Sequence, residues 1–404
     1  TKPQIVTKKY LNQGVNMYPI CPHCNFLKEK TMLDTEISFL DFFQDLEDPR
    51  IDRKKLYSIE EILLTTLCAV IAGAEGWQDV EDFGIAKEDL LKKYLPFKNG
   101  IPSDDTFRRF FRAIDPKKFQ SKFITWVESL GMINKNIIAI DGKTSRRSFD
   151  NDKKPLHLIS AFASEARVVL AQKKVDTKTN EITEIPELLS WLDLRGSIVT
   201  IDAMRCQKEI ANQIIEQKGN YVLSLKGNQG KLCDDVSTYF EDKAIAKNKT
   251  IKSFKTIEKG HGRIESRRCL VTEDIYWLES LKNWKGLKSI VMIESTREKK
   301  GIKSTENRFY ISSLEADPKK MLSTIRSHWG IENGLHWILD MSFGEDQNRI
   351  RKGNAPENMA VMRHCALNML QKYKGKRQSI KGLRKLAGWK DEVLKGILNV
   401  NLKF

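Results

Sequence analysis

The chain has 404 residues, of which 40% are hydrophobic and 30% are charged, and its formal net charge is +16. This composition excludes a disordered chain, and the apolar run in "EEILLTTLCAVIAGAEGW" is shorter than the roughly 20 residues of a membrane span, so no membrane partner is expected. Seven scattered cysteines indicate a reducing, cytoplasmic compartment. The charge favours nucleic acid as partner, although a ribosome-associated role or a generally basic proteome would give the same charge.

Residues 1–34 are predicted to be an N-terminal extension with one notable motif, "CPHC", which runs from Cys21 to Cys24. A single CxxC supplies half of a zinc site, and no second CxxC or HxxxH follows at a suitable distance. Zinc shared with a partner chain stays open, but two incidental cysteines are the favoured interpretation. No metal is assigned to this segment.

Residues 35–130 have an apolar spacing near 3.6 throughout, which predicts an all-helical domain. Ser58 and Glu61 form an S-x-x-E capping box at one predicted helix start. The stretch "GIPSDDTFRRFFRAI" joins a turn to a basic helix, which suits a helix-turn-helix that binds DNA; a helical bundle with solvated arginines is an equally good interpretation. The arginines of that helix are Arg108, Arg109 and Arg112.

Short β-branched segments begin near residue 136: "NIIAID", "LHLISAFA", "RVVLAQKKV", "SIVTID" and "NYVLSLKG". Helical patterns lie between them, so residues 135–372 are predicted to form an α/β domain with a mixed sheet. Basic, strand-like segments at about 250–315 indicate a β insertion, and a helix is expected to start near Pro318. Residues 373–404 are predicted to be a basic helical tail.

Two of the predicted strands end in aspartate, "NIIAID" at Asp141 and "SIVTID" at Asp202. Strand ends of this kind place carboxylates at the edge of an α/β sheet where ligands bind, and two close carboxylates repel unless a hard cation lies between them. Glu332, on a later helix, is the natural third member of a Mg²⁺ site. Each aspartate alone could cap a turn, but the combination with a basic chain favours metal-dependent phosphoryl transfer.

Within "SHWGIENGLHWILD", the polar residues His328, Glu332, His336 and Asp340 fall four apart, so on a helix they form one stripe. A zinc-binding helix would place two histidines at i and i+4. Here the histidines are eight apart with Glu332 between them, which disfavours a zinc hydrolase. The stripe is better explained if Glu332 belongs to the shared acidic site and His328, His336 and Asp340 are its neighbours.

Eight segments in order resemble the H-repeat-associated transposases, a group of DDE insertion-sequence transposases with a ribonuclease-H-like core. They are "AIDGKTSRRS", "HLISAFA", "EITEIPELL", "TIDAMRCQKEIA", "YVLSLKGNQG", "HGRIESRR", "RFYISSL" and "IRSHWGIENGLHWILDMSFGEDQNRIRKGNAPEN". Together with the helical segment before them, the resemblance covers residues 34 to 390. It implies a catalytic triad of Asp141, Asp202 and Glu332 that also holds the metal.

The resemblance further implies two Mg²⁺ ions, replaceable by Mn²⁺, and double-stranded DNA as partner, both as element ends and as target. A homodimer is expected in the DNA complex, because two ends must be brought together, and the location is expected to be the bacterial nucleoid. Water would nick the DNA, and the released 3′-hydroxyl would then be joined to target DNA. The alternatives are an inactive or domesticated sequence-specific DNA-binding protein and a nuclease without strand transfer.

DNA contacts are harder to assign, because many relatives in the wider family carry Tyr, Arg, Glu and Lys along the helix that bears the glutamate, with Trp next to the Arg. In this chain Trp329 and Glu332 match that pattern, whereas Ile325, His328 and Leu339 stand at the Tyr, Arg and Lys positions. The predicted DNA contacts are therefore basic, polar and aromatic residues near the motifs. They are Arg108, Arg109, Arg112, Lys143, Arg146, Arg147, Lys226, Asn228, His261, Arg263, Arg326, His328, Trp329, His336, Arg349, Arg351 and Lys352.

Overall fold

Nine strands form one mixed sheet in the part of the chain that the computed structural model describes. The described residues are 39–51, 55–130, 136–149, 154–175, 180–242, 250–260 and 262–399. The predicted extension with Cys21 and Cys24, and the predicted DNA contact His261, lie outside them. In chain order the strands are β1 (Ile137–Thr144), β2 (His157–Ala163), β3 (Val168–Lys174), β4 (Ile198–Ile201), β5 (Asn220–Leu225), β6 (Lys252–Gly260), β7 (Arg263–Thr272), β8 (Ser289–Lys299) and β9 (Ile302–Ser312).

The sheet has the order β3-β2-β1-β4-β5-β9-β8-β7-β6. β1, β4 and β5 are parallel neighbours, and β2 and β3 continue the sheet antiparallel beyond β1. Their side chains are buried almost without interruption, as a sheet covered by helices on both faces requires. The mixed α/β sheet predicted from the β-branched segments is confirmed.

The four segments predicted as a β insertion are strands β6 to β9, and they lengthen the same sheet. β9 pairs antiparallel with β5 from Val222–Ser312 to Leu225–Phe309, and β8, β7 and β6 follow as an antiparallel meander. β6 is the edge strand and is largely exposed, with lysines along it. Charged side chains on an edge strand prevent it from pairing with other chains.

Helices cover both faces of the sheet. In chain order they are α1 (Ile59–Ala72), α2 (Trp77–Ala86), α3 (Glu88–Leu91), α4 (Asp104–Ala113), α5 (Pro116–Ser129), α6 (Glu181–Ser190), α7 (Lys208–Glu216), α8 (Gly230–Glu241), α9 (Pro318–His328), α10 (Trp337–Phe343), α11 (Ala355–Tyr373), α12 (Ile380–Trp389) and α13 (Asp391–Leu398). The predicted capping box of Ser58 and Glu61 is present at the start of α1. None of the described helices is long and apolar enough to cross a membrane.

Helix α11 joins the N-terminal helices to the sheet. Nearly all of its residues from Ala355 to Leu370 are buried, and it packs against α1, α4, α5 and β3. Asn368 accepts a hydrogen bond from the Val169 backbone N–H and donates one to the Val169 carbonyl, as a neighbouring strand would. Helices α12 and α13, which lie in the predicted tail, pack on α1 and α11. The division of the chain into a helical domain, a catalytic domain and a tail stays a prediction.

The helix predicted to start near Pro318 does so, with Asp317 accepting hydrogen bonds from the first backbone N–H groups. It is not one regular helix, however. A π-turn at Glu332–His336 separates α9 from α10, and the Trp337 N–H donates to the Glu332 carbonyl five residues earlier. The extra residue in this turn interrupts the regular helix that the four-residue spacing assumes. The predicted stripe is nevertheless kept, since His328 contacts β4 at Thr200, while His336 lies beside Asp141 and Asp340 lies on Lys143 of β1.

Candidate active site

The two aspartates lie side by side at one edge of the sheet. β1 and β4 pair in parallel up to Ile140 and Ile201, so Asp141 and Asp202 are the next residues in register. β4 ends there, and Asp202 begins a short 3₁₀ helix. The prediction that β1 also ends at its aspartate is wrong, because β2 continues to pair with β1 from Asp141 to Thr144.

Glu332 reaches Asp141 from the π-turn, and His336 lies between them. The His336 Nδ1 atom is 3.2 Å from Glu332 Oε2 and 3.6 Å from Asp141 Oδ2. One ligand atom from each of these three residues lies within 4.8 Å of the others. His336 is 5% exposed, and its Nε2 has no hydrogen-bond partner in the described chain. Two carboxylates and an imidazole at this spacing fit a divalent cation.

Asp141, Asp202 and Glu332 line one cavity of about 560 Å³. Asp202 faces this cavity but is outside the compact group that Asp141 forms with Glu332 and His336. Much of the remaining lining comes from β5, β9 and the end of α9, and includes Lys226, Glu306, Arg308, Tyr310, His328 and Trp329. The structure thus brings the three predicted acidic residues into one pocket, together with the cations Lys226 and Arg308.

Three further residues form a chain of contacts that begins at Asp141, and no motif or spacing in the sequence marks them as a set. Arg205 Nη1 donates a 2.7 Å hydrogen bond to Asp141 Oδ1, and its Nε forms an ion pair with Glu181. The other oxygen of Glu181 lies 2.6 Å from His157 Nε2. Burial lowers the pKa of His157, and the neighbouring Arg205 cation lowers it further. Arg205 therefore occupies one oxygen of Asp141 and leaves the second for the cavity.

Lys143, predicted to contact DNA, is instead surrounded by carboxylates. Its Nζ lies 2.6 Å from Asp340, 3.4 Å from Glu345 and 3.3 Å from Asp346, and its side chain is 12% exposed. Burial opposes the charged form, but these carboxylates outweigh it and raise the pKa of Lys143. The ammonium group is engaged inside the protein.

His328 and Trp329 lie on the same side of the cavity and have different surroundings. His328 Nδ1 shares a 2.9 Å hydrogen bond with Thr200 Oγ1, and burial lowers the pKa of the imidazole. Trp329 is 48% exposed, and the Arg308 guanidinium lies 5.3 Å from the centre of its ring. His328 thus contacts the strand that leads to Asp202, and the Trp329 ring is accessible to a ligand.

Of the three predicted DNA contacts on α4, Arg112 is exposed, and Arg108 and Arg109 pair with acids of the same helix. Arg108 lies 3.2 Å from Asp105 and also pairs with Asp104, and Arg109 lies 2.6 Å from Asp105. These pairs are exposed, so the side chains can exchange an aspartate for a phosphate at small cost. The structure does not bring this helix into the cavity, whose lining contains none of its residues.

The remaining predicted contacts fall into two groups. Arg263 pairs with Glu265, Arg326 pairs with Glu258, and Asn228 donates to the Ala203 carbonyl. Several others are exposed or half-exposed on loops near the ion cluster of Lys143; these are Arg146, Arg147, Arg349, Arg351 and Lys352. Lys226 alone among the predicted lysines and arginines lines the cavity itself.

Comparison with known proteins gives the family. A family described as "Transposase DDE domain" matches residues 133–369, and one described as "DDE_Tnp_1-associated" matches residues 40–127. "Putative transposase YncI" of Escherichia coli O157:H7 is 44% identical over 355 residues, which cover 86% of this chain and 91% of that protein. "H repeat-associated putative transposase YhhI" of Escherichia coli K12 is 43% identical over 338 residues, 80% of this chain and 88% of that protein.

The chain therefore belongs to the DDE transposase family. Within that family it is similar to the H-repeat-associated transposases, as its motifs predict, and its sheet is the ribonuclease-H-like core of the DDE domain. DDE transposase domains use divalent metal ions, and the group of Asp141, Glu332 and His336 is suited to hold one. A solved piggyBac transposase synaptic complex with hairpin DNA is similar over 87% of this chain and 75% of that chain, at 12% identity and with a TM-score of 0.41.

Proposed function

We propose that this transposase binds the ends of a mobile DNA element and cleaves and joins DNA strands with Asp141, Asp202 and Glu332 as catalytic residues. The observation that supports this most is the parallel register of β1 and β4, which places two aspartates side by side. Glu332 lines the same pocket, although it lies far along the chain from both Asp141 and Asp202. Such a concentration of carboxylates is stable only beside positive charge, which Arg205 supplies in part.

Asp141, Asp202 and Glu332 would hold two Mg²⁺ ions, or Mn²⁺ in their place. Bound there, such ions lower the pKa of an attacking water or 3′-hydroxyl and stabilise the leaving oxygen. The chain itself orients the ligands: Arg205 holds one oxygen of Asp141, and His336 lies within hydrogen-bond distance of Glu332. This chemistry needs no side-chain nucleophile, so we expect no covalent protein–DNA intermediate.

The proposed DNA contacts are the accessible cations and the aromatic ring at the cavity. Lys226 is exposed on its rim, and the half-exposed Trp329 with Arg308 above its ring offers a stacking surface for an unpaired base. The formal charge of +16 would hold the DNA backbone over a wider area. Because two element ends must be joined, we propose a homodimer in the DNA complex, located at the nucleoid.

The test is nicking of a supercoiled plasmid that carries the DNA flanking the gene. Asp141→Asn, Asp202→Asn and Glu332→Gln should each lower Mg²⁺-dependent nicking by more than about 100-fold, beyond the roughly 10- to 100-fold cost of losing a partner that only orients a metal ligand. Glu279→Gln, an exposed acid that pairs with Lys231, is the control and should retain full activity. Unchanged nicking in any of the first three variants would contradict the catalytic assignment.

Strand transfer is tested separately with pre-cut ends that carry a 3′-hydroxyl. Joining to target DNA by the wild type, but not by Glu332→Gln, supports transposition; nicking without joining indicates a nuclease. DNA binding with no nicking under any divalent metal would indicate a DNA-binding protein without catalysis. The mass of the complex with two ends, measured by light scattering, should correspond to two protein chains.

A further inference from the structure

The ion cluster around Lys143 connects the two parts of the proposed active site. Lys143 follows Asp141 by two residues on β1, so the two side chains leave the strand on the same face. Its three partners, Asp340, Glu345 and Asp346, all belong to the segment that follows the π-turn of Glu332. The cluster therefore joins the strand that carries the first acid to the chain segment that carries the last.

The cluster is balanced in charge, and its enclosed members are Lys143, Glu345 and Arg363, whereas Arg146 is exposed. Besides Lys143, Arg363 lies 3.5 Å from Glu345, and Arg146 lies 3.3 Å from Asp346. Three cations thus face three carboxylates. The side chains of Glu345 and Arg363 are 2% and 7% exposed, so these charges have little access to water. Removing one partner from such an enclosed cluster leaves an uncompensated charge, and the segment must shift to solvate it.

We propose that Lys143 is a positioning residue, which fixes the segment after Glu332 against the strand of Asp141 and so sets the distance between the two metal ligands. The inference rests on the proposed function, in that Asp141 and Glu332 hold the metal. It replaces the expectation that Lys143 contacts DNA, because the ammonium group already has three carboxylates within 3.4 Å. Lys143 acts through these ligands and does not itself touch the substrate.

The experiment measures Mn²⁺ binding to the full chain without DNA, by the electron paramagnetic resonance signal of the free ion. Lys143→Met should weaken Mn²⁺ binding by about tenfold or more, as loss of residues that orient metal ligands does. The matched control is Lys173→Met on β3. Lys173 is 13% exposed and lies 2.5 Å from Glu187 and 3.2 Å from Glu184, but it is not in the cavity. This control should bind Mn²⁺ as the wild type does.

A second variant keeps the test decisive if Lys143→Met does not fold. Lys143→Met combined with Asp340→Asn leaves two cations facing two carboxylates and should fold, yet still bind Mn²⁺ about tenfold more weakly. Asp340→Asn alone should weaken binding too. Since Asp340 acts through its contact with Lys143, replacing it should add no further loss once Lys143 is gone, and the double variant should be no weaker than Lys143→Met. Losses that add would overturn the proposal.

DNA binding in the presence of a chelator separates positioning from DNA contact. If Lys143 only positions ligands, Lys143→Met should retain the DNA affinity and the salt dependence of Lys173→Met. A phosphate contact would instead lower the slope of log affinity against log salt by about 0.9. Wild-type Mn²⁺ affinity in Lys143→Met, with binding lost in Asp141→Asn, would refute this inference alone. Binding retained in Asp141→Asn would refute the proposed metal site itself.

Discussion

His328 and Thr200 share a hydrogen bond of 2.9 Å that connects the last turn of α9 to the strand leading to Asp202. His328 is the residue at which this chain differs from the Arg of the wider family. Thr200→Val should lower the free energy of unfolding by about 1 kcal/mol, the ordinary net contribution of one hydrogen bond. Urea denaturation measures it, with Thr125→Val on the exposed face of α5 as a control that should change little.

The same bond can be isolated by a double-mutant cycle. If Thr200 and His328 stabilise the fold through each other, the losses in Thr200→Val and His328→Leu should not add, and the coupling should be about 1 kcal/mol. Additive losses would show that each side chain acts through other contacts, and that His328 does not fasten α9 to β4.

Arg205 should stabilise the protein more without divalent metal than with it. Arg205→Gln leaves Asp141 and Glu181 without their shared cation, and we expect it to cost about 2 kcal/mol of unfolding free energy in a chelator. Mg²⁺ should recover part of this loss, because it supplies the missing charge at Asp141. Arg195→Gln, which removes an exposed pair with Asp193, should leave the unfolding midpoint unchanged in both conditions. An equal effect of Mg²⁺ on wild type and Arg205→Gln would contradict this role of Arg205.

His364 should make stability depend on pH. Complete burial lowers the pKa of this imidazole from 6.5 to about 4, so the unfolded chain takes up the proton first as the pH falls. The neutral imidazole therefore contributes stability that is fully present above pH 6.5 and is lost as the pH falls towards 4, by up to about 3 kcal/mol.

The change that isolates His364 is substitution by leucine. Denaturation at several pH values should show that the free energy of unfolding falls less between pH 6.5 and 4 in His364→Leu than in the wild type. Phe123 packs beside the imidazole ring of the wild type, and a leucine in its place should keep much of this apolar contact. Parallel curves for the two proteins would mean that His364 does not titrate in this range.

Lys226 is expected to contact the DNA backbone at the cavity. Lys226→Gln should weaken binding to all DNA sequences alike and lower the salt slope by about one, since one phosphate contact is lost. Fluorescence anisotropy across a salt series measures this. The control is Lys288→Gln on the loop before β8, which should leave the slope unchanged. If the slope of log affinity against log salt is the same in both variants, Lys226 does not contact a DNA phosphate.

The parts of the fold that follow from local periodicity were predictable. β-branched runs gave β1, β4 and the inserted strands, and a run of apolar residues that ends in aspartate placed Asp141 and Asp202 at one edge. Contacts over long separations were not predictable. His328 and Thr200 are 128 residues apart, and Lys143 and Asp346 are 203 apart, so their pairing depends on how elements pack and on burial that no spacing encodes.

The four-residue stripe shows what local spacing can and cannot predict. His328, Glu332, His336 and Asp340 all lie toward β1 and β4, as the spacing predicts, with His328 on Thr200, His336 beside Asp141 and Asp340 on Lys143. The π-turn within this segment was not predictable from the spacing. Gly330 precedes Glu332 and Gly334 follows it, but a glycine in a helix does not by itself predict an extra residue in a turn.

The wide turn at Glu332–His336 also has a consequence for how such a sequence tolerates change in length. Deleting Gly334 would leave the Trp337 N–H four residues after the Glu332 carbonyl, as in a regular α-helix, so the helix that follows would keep nearly its present orientation. A deletion within α9 or α10 would instead rotate the residues that follow it by about 100°. The loss of one residue should therefore be tolerated better in these five positions than in the regular helices on either side.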